Sequence, residues 1–308
     1  MKVGFVGLGA MGSGIALNLR KAGYEMFVFD VHKGNMQQLV DAGAVAVETI
    51  SQIGKSVDVV FSSLPGPKEM QEVGLGPDGL ISTMREGTTW FDLTTNSPTV
   101  LRDVAKRFDE RGIYLLDSPV SGKPSGARTG KLAIYVGGPS VSFEKHKPLL
   151  DAIGDKVLHV GPVGAGNTAK IVHNLVSLVT RLAIAEGLSL GVKAGMDPLD
   201  LWHAVRQGVI GRSRTFDIVA DQYLQNKYDP PSFSLRLAHK DFTLALDLAR
   251  ELGVPLKQAE AAYADYTEAL HRGWGDLDSR SPMQLVNERA GVTIQVSAED
   301  VQKTLARN

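Results

Sequence analysis

The strongest constraint on this chain lies in its first dozen residues. Gly7-Leu8-Gly9-Ala10-Met11-Gly12 directly follows an apolar, strand-like run from Lys2 to Gly7 and directly opens a helical pattern from Gly12 to Ala22, closed by Gly23. Three glycines at this spacing have separate uses. Gly7 permits the tight turn, Gly9 lets the backbone approach a pyrophosphate, and Gly12 lets helix and sheet pack closely. The helix start then offers free N–H groups and a partial positive charge to phosphates. Glycines also serve ordinary turns, so the motif gains weight from its setting. Asp30 supplies that setting, closing the next strand from Tyr24 to Phe29. A carboxylate at this place hydrogen-bonds ribose hydroxyls and repels a 2′-phosphate, which points to NAD. His32 and Lys33 beside it leave NADP open.

The pattern keeps alternating in period. A helix over Asn35 to Ala42 ends at Gly43, and a strand over Val57 to Leu64 is stopped by Pro65. Trp90 to Leu93, Tyr114 to Leu116 and Lys131 to Val136 read as further strands. Strands alternating with helices imply βαβ units and a mostly parallel sheet, so the fold class is α/β with an N-terminal Rossmann-type dinucleotide-binding domain. After about Gly166 the strand signals stop. Asn167 to Ala194 lacks proline and places Ile171, Leu175, Leu178, Leu182 and Ala185 at a 4-3-4-3 spacing, one face of a helix. As a single helix it is about 40 Å long. Further helices are expected over Asp200 to Arg206, Asp217 to Leu224, Lys240 to Leu252 and Gln258 to His271, and Ser297 with Asp300 resembles a capping box for a short last helix. The division expected is a Rossmann domain over 1–163 and an all-helical substrate and oligomerisation domain over 164–308.

Composition excludes several classes. The 308 residues carry 33 Lys+Arg against 34 Asp+Glu, which leaves no electrostatic footprint for nucleic acid. The absence of cysteine excludes disulfides, thiolate metal sites and a cysteine nucleophile, and the 7 histidines show no ligand spacing, so no metal is expected. Apolar stretches read as shorter than the ~20 residues of a membrane helix. The expectation is a cytoplasmic enzyme with a small-molecule partner and no contact with nucleic acid or membrane.

Candidate site residues follow from topology. Ligands of open α/β sheets sit beyond the carboxyl ends of the strands, which singles out Ser63-Leu64-Pro65 and the segment from Asp92 through Thr95 to Pro98. Each also reads as a plain turn. Asp117 to Ala127, with Ser121 and Gly122, can cradle a small anion or form a surface turn. Lys170 and Asn174 are four residues apart at the start of the long helix and share a face at the edge of its apolar stripe. Burial and a neighbouring positive charge would lower the pKa of such a lysine and suit it to acid–base work, although lysines there are usually solvated at the tip. His173 points elsewhere on the helix. Lys240, read as lying at a helix start where cations are unfavourable, suggests a function by that misfit.

With these motifs in order, the sequence resembles the short β-hydroxyacid dehydrogenases, the group of 3-hydroxyisobutyrate dehydrogenase and tartronate semialdehyde reductase. The resemblance runs over essentially the whole chain. It rests on Gly7 to Gly12, Asp117 to Ala127, Gly161 to Asn174, and Lys240-Asp241 with Asp247. It implies an NAD(P)-dependent hydride transfer at the β-hydroxyl carbon of a 3-hydroxy acid. By the same resemblance, Lys170 is the general acid/base, Asn174 holds the substrate, and Ser121 with Gly122 grips its carboxylate. Thr95 and Lys240 take the cofactor side, where topology also puts Leu64 and Pro65, and the helical domains form a homodimer or homotetramer. One departure stands out: Lys123 replaces the second glycine of the usual Ser-Gly-Gly. Lys123, Arg212 and Arg214 are therefore candidates to meet an acidic or polyhydroxylated substrate tail, or are surface charges. The alternatives are an imine reductase of the same architecture, whose members usually lack a lysine at the position of Lys170, and a non-catalytic dinucleotide-binding module.

Overall fold

The computed structural model describes residues 1–208 and 219–306. The chain divides into two compact units, Met1–Val172 and His173–Asn308. In the first unit the strands are β1 (Lys2–Val6), β2 (Glu25–Phe29), β3 (Val45–Ala46), β4 (Val59–Ser62), β5 (Thr89–Asp92), β6 (Tyr114–Asp117), β7 (Val120–Ser121), β8 (Leu132–Gly137) and β9 (Gly154–Gly161). They form one sheet in the order β3-β2-β1-β4-β5-β6-β8-β7, with β9 added beside β8. Pairing from β3 through to β6 is parallel. β8 runs antiparallel to β6 and β7 and parallel to β9.

The helices of this unit are α1 (Gly12–Lys21), α2 (Gln37–Asp41), α3 (Ile50–Ser56), α4 (Pro67–Leu75), α5 (Pro98–Asp109), α6 (Lys123–Thr129) and α7 (Ser140–Asp151). β4 and β5 are buried at every residue because helices cover both faces, with Val59, Val60, Phe61, Trp90 and Phe91 as their apolar part. Two cores result. One gathers Phe5, Ile15, Leu19, Val28, Phe61 and Phe91; the other gathers Ile53, Val60, Met70, Trp90, Leu101 and Phe108. The order of strands reverses between β1 and β4, and at this switch point doubly wound sheets leave a crevice for ligands.

α8 (Ala165–Lys193) begins in the first unit and continues into the second, followed by α9 (Pro198–Gln207), α10 (Leu235–Leu252), α11 (Lys257–His271), α12 (Met283–Ala290) and α13 (Ala298–Leu305). Leu178, Leu182, Ala185 and Leu188 of α8 enter a core with Trp202, Tyr223, Phe242 and Tyr266, as the 4-3-4-3 spacing predicts. One expectation needs correcting: α8 is long and apolar enough to cross a membrane by length and composition. Its apolar character has a local reason, since one face fills this core.

Other corrections are local. α10 starts at Leu235, where Ser234 accepts the Leu237 N–H, so Lys240 lies in the second turn and the misfit argument for it falls away. The segment Asp117 to Ala127 is not an open loop: β7 and α6 occupy it. Of the helix expected over Asp217 to Leu224, the first two residues lie outside the described residues. Val219 to Leu224 forms turns, with the Leu224 N–H on Val219 O and the Asn226 N–H on Tyr223 O in place of a regular ladder. Ser297 does cap α13 through the Asp300 N–H, but the Asp300 carboxylate takes the Ser297 hydroxyl, not its backbone N–H.

Candidate active site

The turn between β1 and α1 is shaped by contact. Gly7 has φ +89°, and a Cβ there would lie 2.4 Å from Ser63 O. A Cβ on Gly12 would lie 2.0 Å from Gly7 O, whereas one on Gly9 would meet nothing within 4 Å. Gly7 and Gly12 are thus fixed by the protein itself, and Gly9 borders open space. α1 has no side-chain cap and no acidic residue in its first turn, so its N–H groups and positive dipole end face that space. Asp30, 8% exposed, takes the Leu8 N–H on Oδ2 (2.6 Å) and the His32 N–H on Oδ1 (2.8 Å), which holds its carboxylate beside the turn. Lys33 pairs with Glu48 at 2.7 Å, which places a carboxylate against the cation that left NADP open. These groups suit a dinucleotide: an anion cradle with room at Gly9 and a fixed carboxylate at the end of β2.

The carboxyl ends of β5 and β6 carry two buried acids that are register partners, Asp92 and Asp117. Asp92 Oδ1 accepts the hydroxyls of Ser62 (2.8 Å) and Thr94 (2.6 Å). The Thr94 hydroxyl in turn accepts the Leu64 N–H at 3.1 Å, which ties the end of β4 to the end of β5. Asp117 Oδ1 accepts the Gly164 N–H and Oδ2 the Asn167 N–H, both at 2.7 Å. Asn167 Oδ1 accepts the Asn96 N–H at 2.6 Å. Asp117 therefore caps the start of α8 and fixes where Lys170 begins. Gly166 is required at this junction, because a Cβ there would lie 2.3 Å from Tyr135 O.

Burial, opposed only partly by these hydrogen bonds, raises both acids from 3.8 to about 6. Between about pH 4 and 6 the native state thus holds protons that the unfolded chain has released. These two carboxyls lower stability as pH rises through that window, and above it their penalty is fully present. Asp92→Asn removes one of the titrations. Its stability relative to wild type, measured by urea unfolding from pH 4 to 7, is expected to improve by on the order of a few kcal/mol across the window. A difference that does not change with pH would overturn this account.

Farther along α8, Asn174 is half-buried and Lys170 is 8% exposed. Asn174 Nδ2 donates to Asp241 Oδ2 at 2.7 Å, and Lys240 Nζ lies 2.6 Å from Asp241 Oδ1. Asp241, 4% exposed, is thus the joint that holds both. His173 is exposed, with Nδ1 3.0 Å from Asn174 Oδ1.

Among the sequence candidates, Gly7 to Gly12 and Asp30 come together at one turn, and Asn174 and Lys240 meet through Asp241. Leu64 and Thr95 lie half-buried at the ends of β4 and β5, and Pro65 is exposed. Ser121 pairs with Ala133 as the end of β7, and Gly122 (φ +150°) caps α6. Lys123 is exposed with φ +59°, a left-handed backbone suited to the glycine it replaces. Arg212 and Arg214 lie outside the described residues. The sequence assigned no role to Asn96, Asn167 or Asp241, although all three stand inside segments it singled out.

Two family models match the chain: the NAD binding domain of 6-phosphogluconate dehydrogenase over residues 2–161, and the NAD-binding of NADP-dependent 3-hydroxyisobutyrate dehydrogenase over 164–286. The chain belongs to the β-hydroxyacid dehydrogenase family. It is 35% identical over 294 residues to 2-(hydroxymethyl)glutarate dehydrogenase of Eubacterium barkeri, covering 96% of this chain and 97% of that one. It is 33% identical to 2-hydroxy-3-oxopropionate reductase of Escherichia coli (strain K12), over 92% and 96% of the two chains. In structure it is similar to 3-hydroxyisobutyrate dehydrogenase of Mycobacterium tuberculosis, with a TM-score of 0.83 and 27% identity over 92% of this chain and 98% of that one. This family member is an NAD(P)-dependent oxidoreductase acting on small hydroxy acids.

Proposed function

We propose that the chain oxidises a small 3-hydroxy acid, or reduces the matching semialdehyde, with Lys170 as the group that moves the proton. The observation that carries this is the placing of Lys170: buried, one helical turn before an asparagine whose amide Asp241 fixes. The nicotinamide, when bound, supplies the hydride chemistry. Lys170 Nζ takes the hydroxyl proton during oxidation and returns it during reduction. Asn174, its Nδ2 engaged by Asp241, holds the substrate near that amine, and Ser121 with Gly122 meets the carboxylate end. Gly7 to Gly12 cradles the pyrophosphate, Asp30 takes the ribose hydroxyls, and Leu64, Pro65, Thr95 and Lys240 complete the cofactor side. A lysine at this place favours a dehydrogenase over an imine reductase.

Val172, Val176 and Leu190 are exposed on α8 by 52%, 60% and 73%. They lie on one side of the helix and support a homodimer or homotetramer formed around it. With one face of α8 filling a core and the other covered in this way, its apolar length needs no bilayer. A cytoplasmic setting fits this reading.

The test is the appearance of reduced nicotinamide across a panel of 3-hydroxy acids, with NAD and with NADP. Turnover of at least one acid, faster with NAD, is expected; silence across the panel with NADH binding intact would overturn the reading. Asp30→Asn keeps an acceptor for the Leu8 N–H but loses the charge. It is expected to lower kcat/KM with NAD by about 10- to 100-fold, the usual size of a charge-assisted hydrogen bond, and to narrow the preference over NADP.

A further inference from the structure

Arg181 is a buried cation without a carboxylate of its own. Its side chain is 8% exposed, Nη1 donates to Ser279 Oγ at 2.7 Å and Nη2 to Ser177 Oγ at 3.4 Å, while Nε has no hydrogen-bond partner. Among the described residues it makes no ion pair. The neighbouring carboxylate, Asp278, belongs to Arg280: the two are 2.6 Å apart and almost fully buried. The other Asp278 oxygen accepts the N–H and hydroxyl of Ser232, each at 2.9 Å. Two guanidinium groups thus share one carboxylate. Burial comes first in disfavouring the Arg181 charge and Arg280 adds to it, while Tyr266 and Asp278 offset part of that cost. A buried charge that has only a share of one carboxylate is costly to keep, so a chain that keeps one has a reason if a ligand brings further counter-charge.

The position of Arg181 says which ligand. Lys170, Asn174, Ser177 and Arg181 succeed one another at intervals of four, three and four, and so share one face of α8. Asn174 and Arg181 are about 10 Å apart along the axis. Long helical side chains lean toward the N-terminus, and the bond from Nη2 back to Ser177 shows that Arg181 does so. That lean covers about one turn, roughly 5 Å, of the separation. What remains is the reach of two or three methylenes.

We propose that Arg181 reads a second anionic group on the substrate, so that the preferred 3-hydroxy acid is a dianion whose tail carboxylate lies two or three carbons beyond the carbon bearing the first carboxylate. This rests on the proposed reading that Lys170 and Asn174 hold the reacting end. It moves the tail-reading cation from Lys123, Arg212 or Arg214, where sequence alone sought it, to the long helix.

The test compares three acids that share the hydroxymethyl and first carboxylate and differ only in the tail: 3-hydroxyisobutyrate (methyl), 2-(hydroxymethyl)pentanoate (neutral propyl) and 2-(hydroxymethyl)glutarate (carboxyethyl). The wild-type holoenzyme is expected to show kcat/KM at least tenfold higher for the dianion than for the neutral tail of similar length. Arg181→Met is expected to bring that ratio close to one, and Arg181→Lys to leave it between the two. A ratio near one in wild type would overturn the proposal while the dehydrogenase reading stands, provided any of the three acids is turned over. A ratio left intact in either variant, including an equal loss on all three acids from damage to the core, would also overturn it. If Arg181→Met fails to fold, judged by its melting curve, the lysine variant and the wild-type ratio still decide. Turnover of none of the three acids, alongside activity on others of the wider panel, would remove the proposal alone; silence on both would remove the reading beneath it.

Discussion

Lys170→Ala is expected to lower kcat by about 10²–10⁴-fold while NADH still binds, the usual range for loss of a positioned acid or base. The size follows from what the alanine cannot do. The substrate hydroxyl must lose its proton as the carbon is oxidised, and without Nζ that proton goes to water in a poorly placed site. Packing loss makes a competing prediction, so two further readings separate them. Lys170→Arg keeps charge and much of the volume, but a guanidinium does not release its proton near neutrality. It is expected to be about as slow as alanine in the oxidation direction, where a packing role would give near-complete rescue. The pH profile of wild-type oxidation is expected to rise with deprotonation of one group, and in Lys170→Ala that limb is expected to vanish. Turnover of either variant near the wild-type level would remove Lys170 from the proton transfer.

What the sequence revealed of this site follows the range of the interactions involved. The glycine turn and Asp30 were legible because strand, turn and helix lie within thirty residues, and each glycine has a local reason. The long helix was legible from its apolar spacing, and Lys170 and Asn174 from their shared face. Lys240 was placed for the wrong reason. Ser234 starts α10 six residues before the apparent misfit, and it is Asp241, next to Lys240, that joins it to Asn174. The anchoring of α8 was not legible at all. Asp117 reaches Gly164 and Asn167 across 47 and 50 residues, and Asn96 reaches Asn167 across 71. No spacing rule reports such pairs. Arg181 escaped notice because it sits within a stretch that scans as apolar, and its significance depends on how Asp278 is already engaged. β3, β7 and β9 were missed for a simpler reason. Two of them are two residues long, and β9 is largely exposed, so it lacks an apolar alternation to read.

The two glycines at the ends of Gly9-Ala-Met-Gly12 are expected to fail in opposite ways. At Gly9 a side chain meets nothing within 4 Å, and its φ lies outside the left-handed region, so Gly9→Val should fold and melt like wild type. Its isopropyl group fills the space before the α1 N-terminus that a pyrophosphate needs. NADH affinity should fall at least tenfold, about 1.4 kcal/mol or more. At Gly12 the added Cβ lies 2.0 Å from Gly7 O and 3.1 Å from Phe5 Cε1. The first neighbour is backbone, held in turn by the Gly7 N–H bond to Phe29 O, so it cannot swing aside. Either α1 moves off the sheet or the turn opens. Overpacking of this kind costs about 1–3 kcal/mol or more, which in a unit of this size lowers Tm by roughly 2–4 °C per kcal/mol. NADH binding weakens as a consequence of the displaced helix. Melting curves and NADH titrations of the two variants separate the effects. Wild-type affinity in Gly9→Val would remove the cradle from the cofactor site, and a wild-type Tm in Gly12→Ala would mean that this turn yields more easily than its contacts allow.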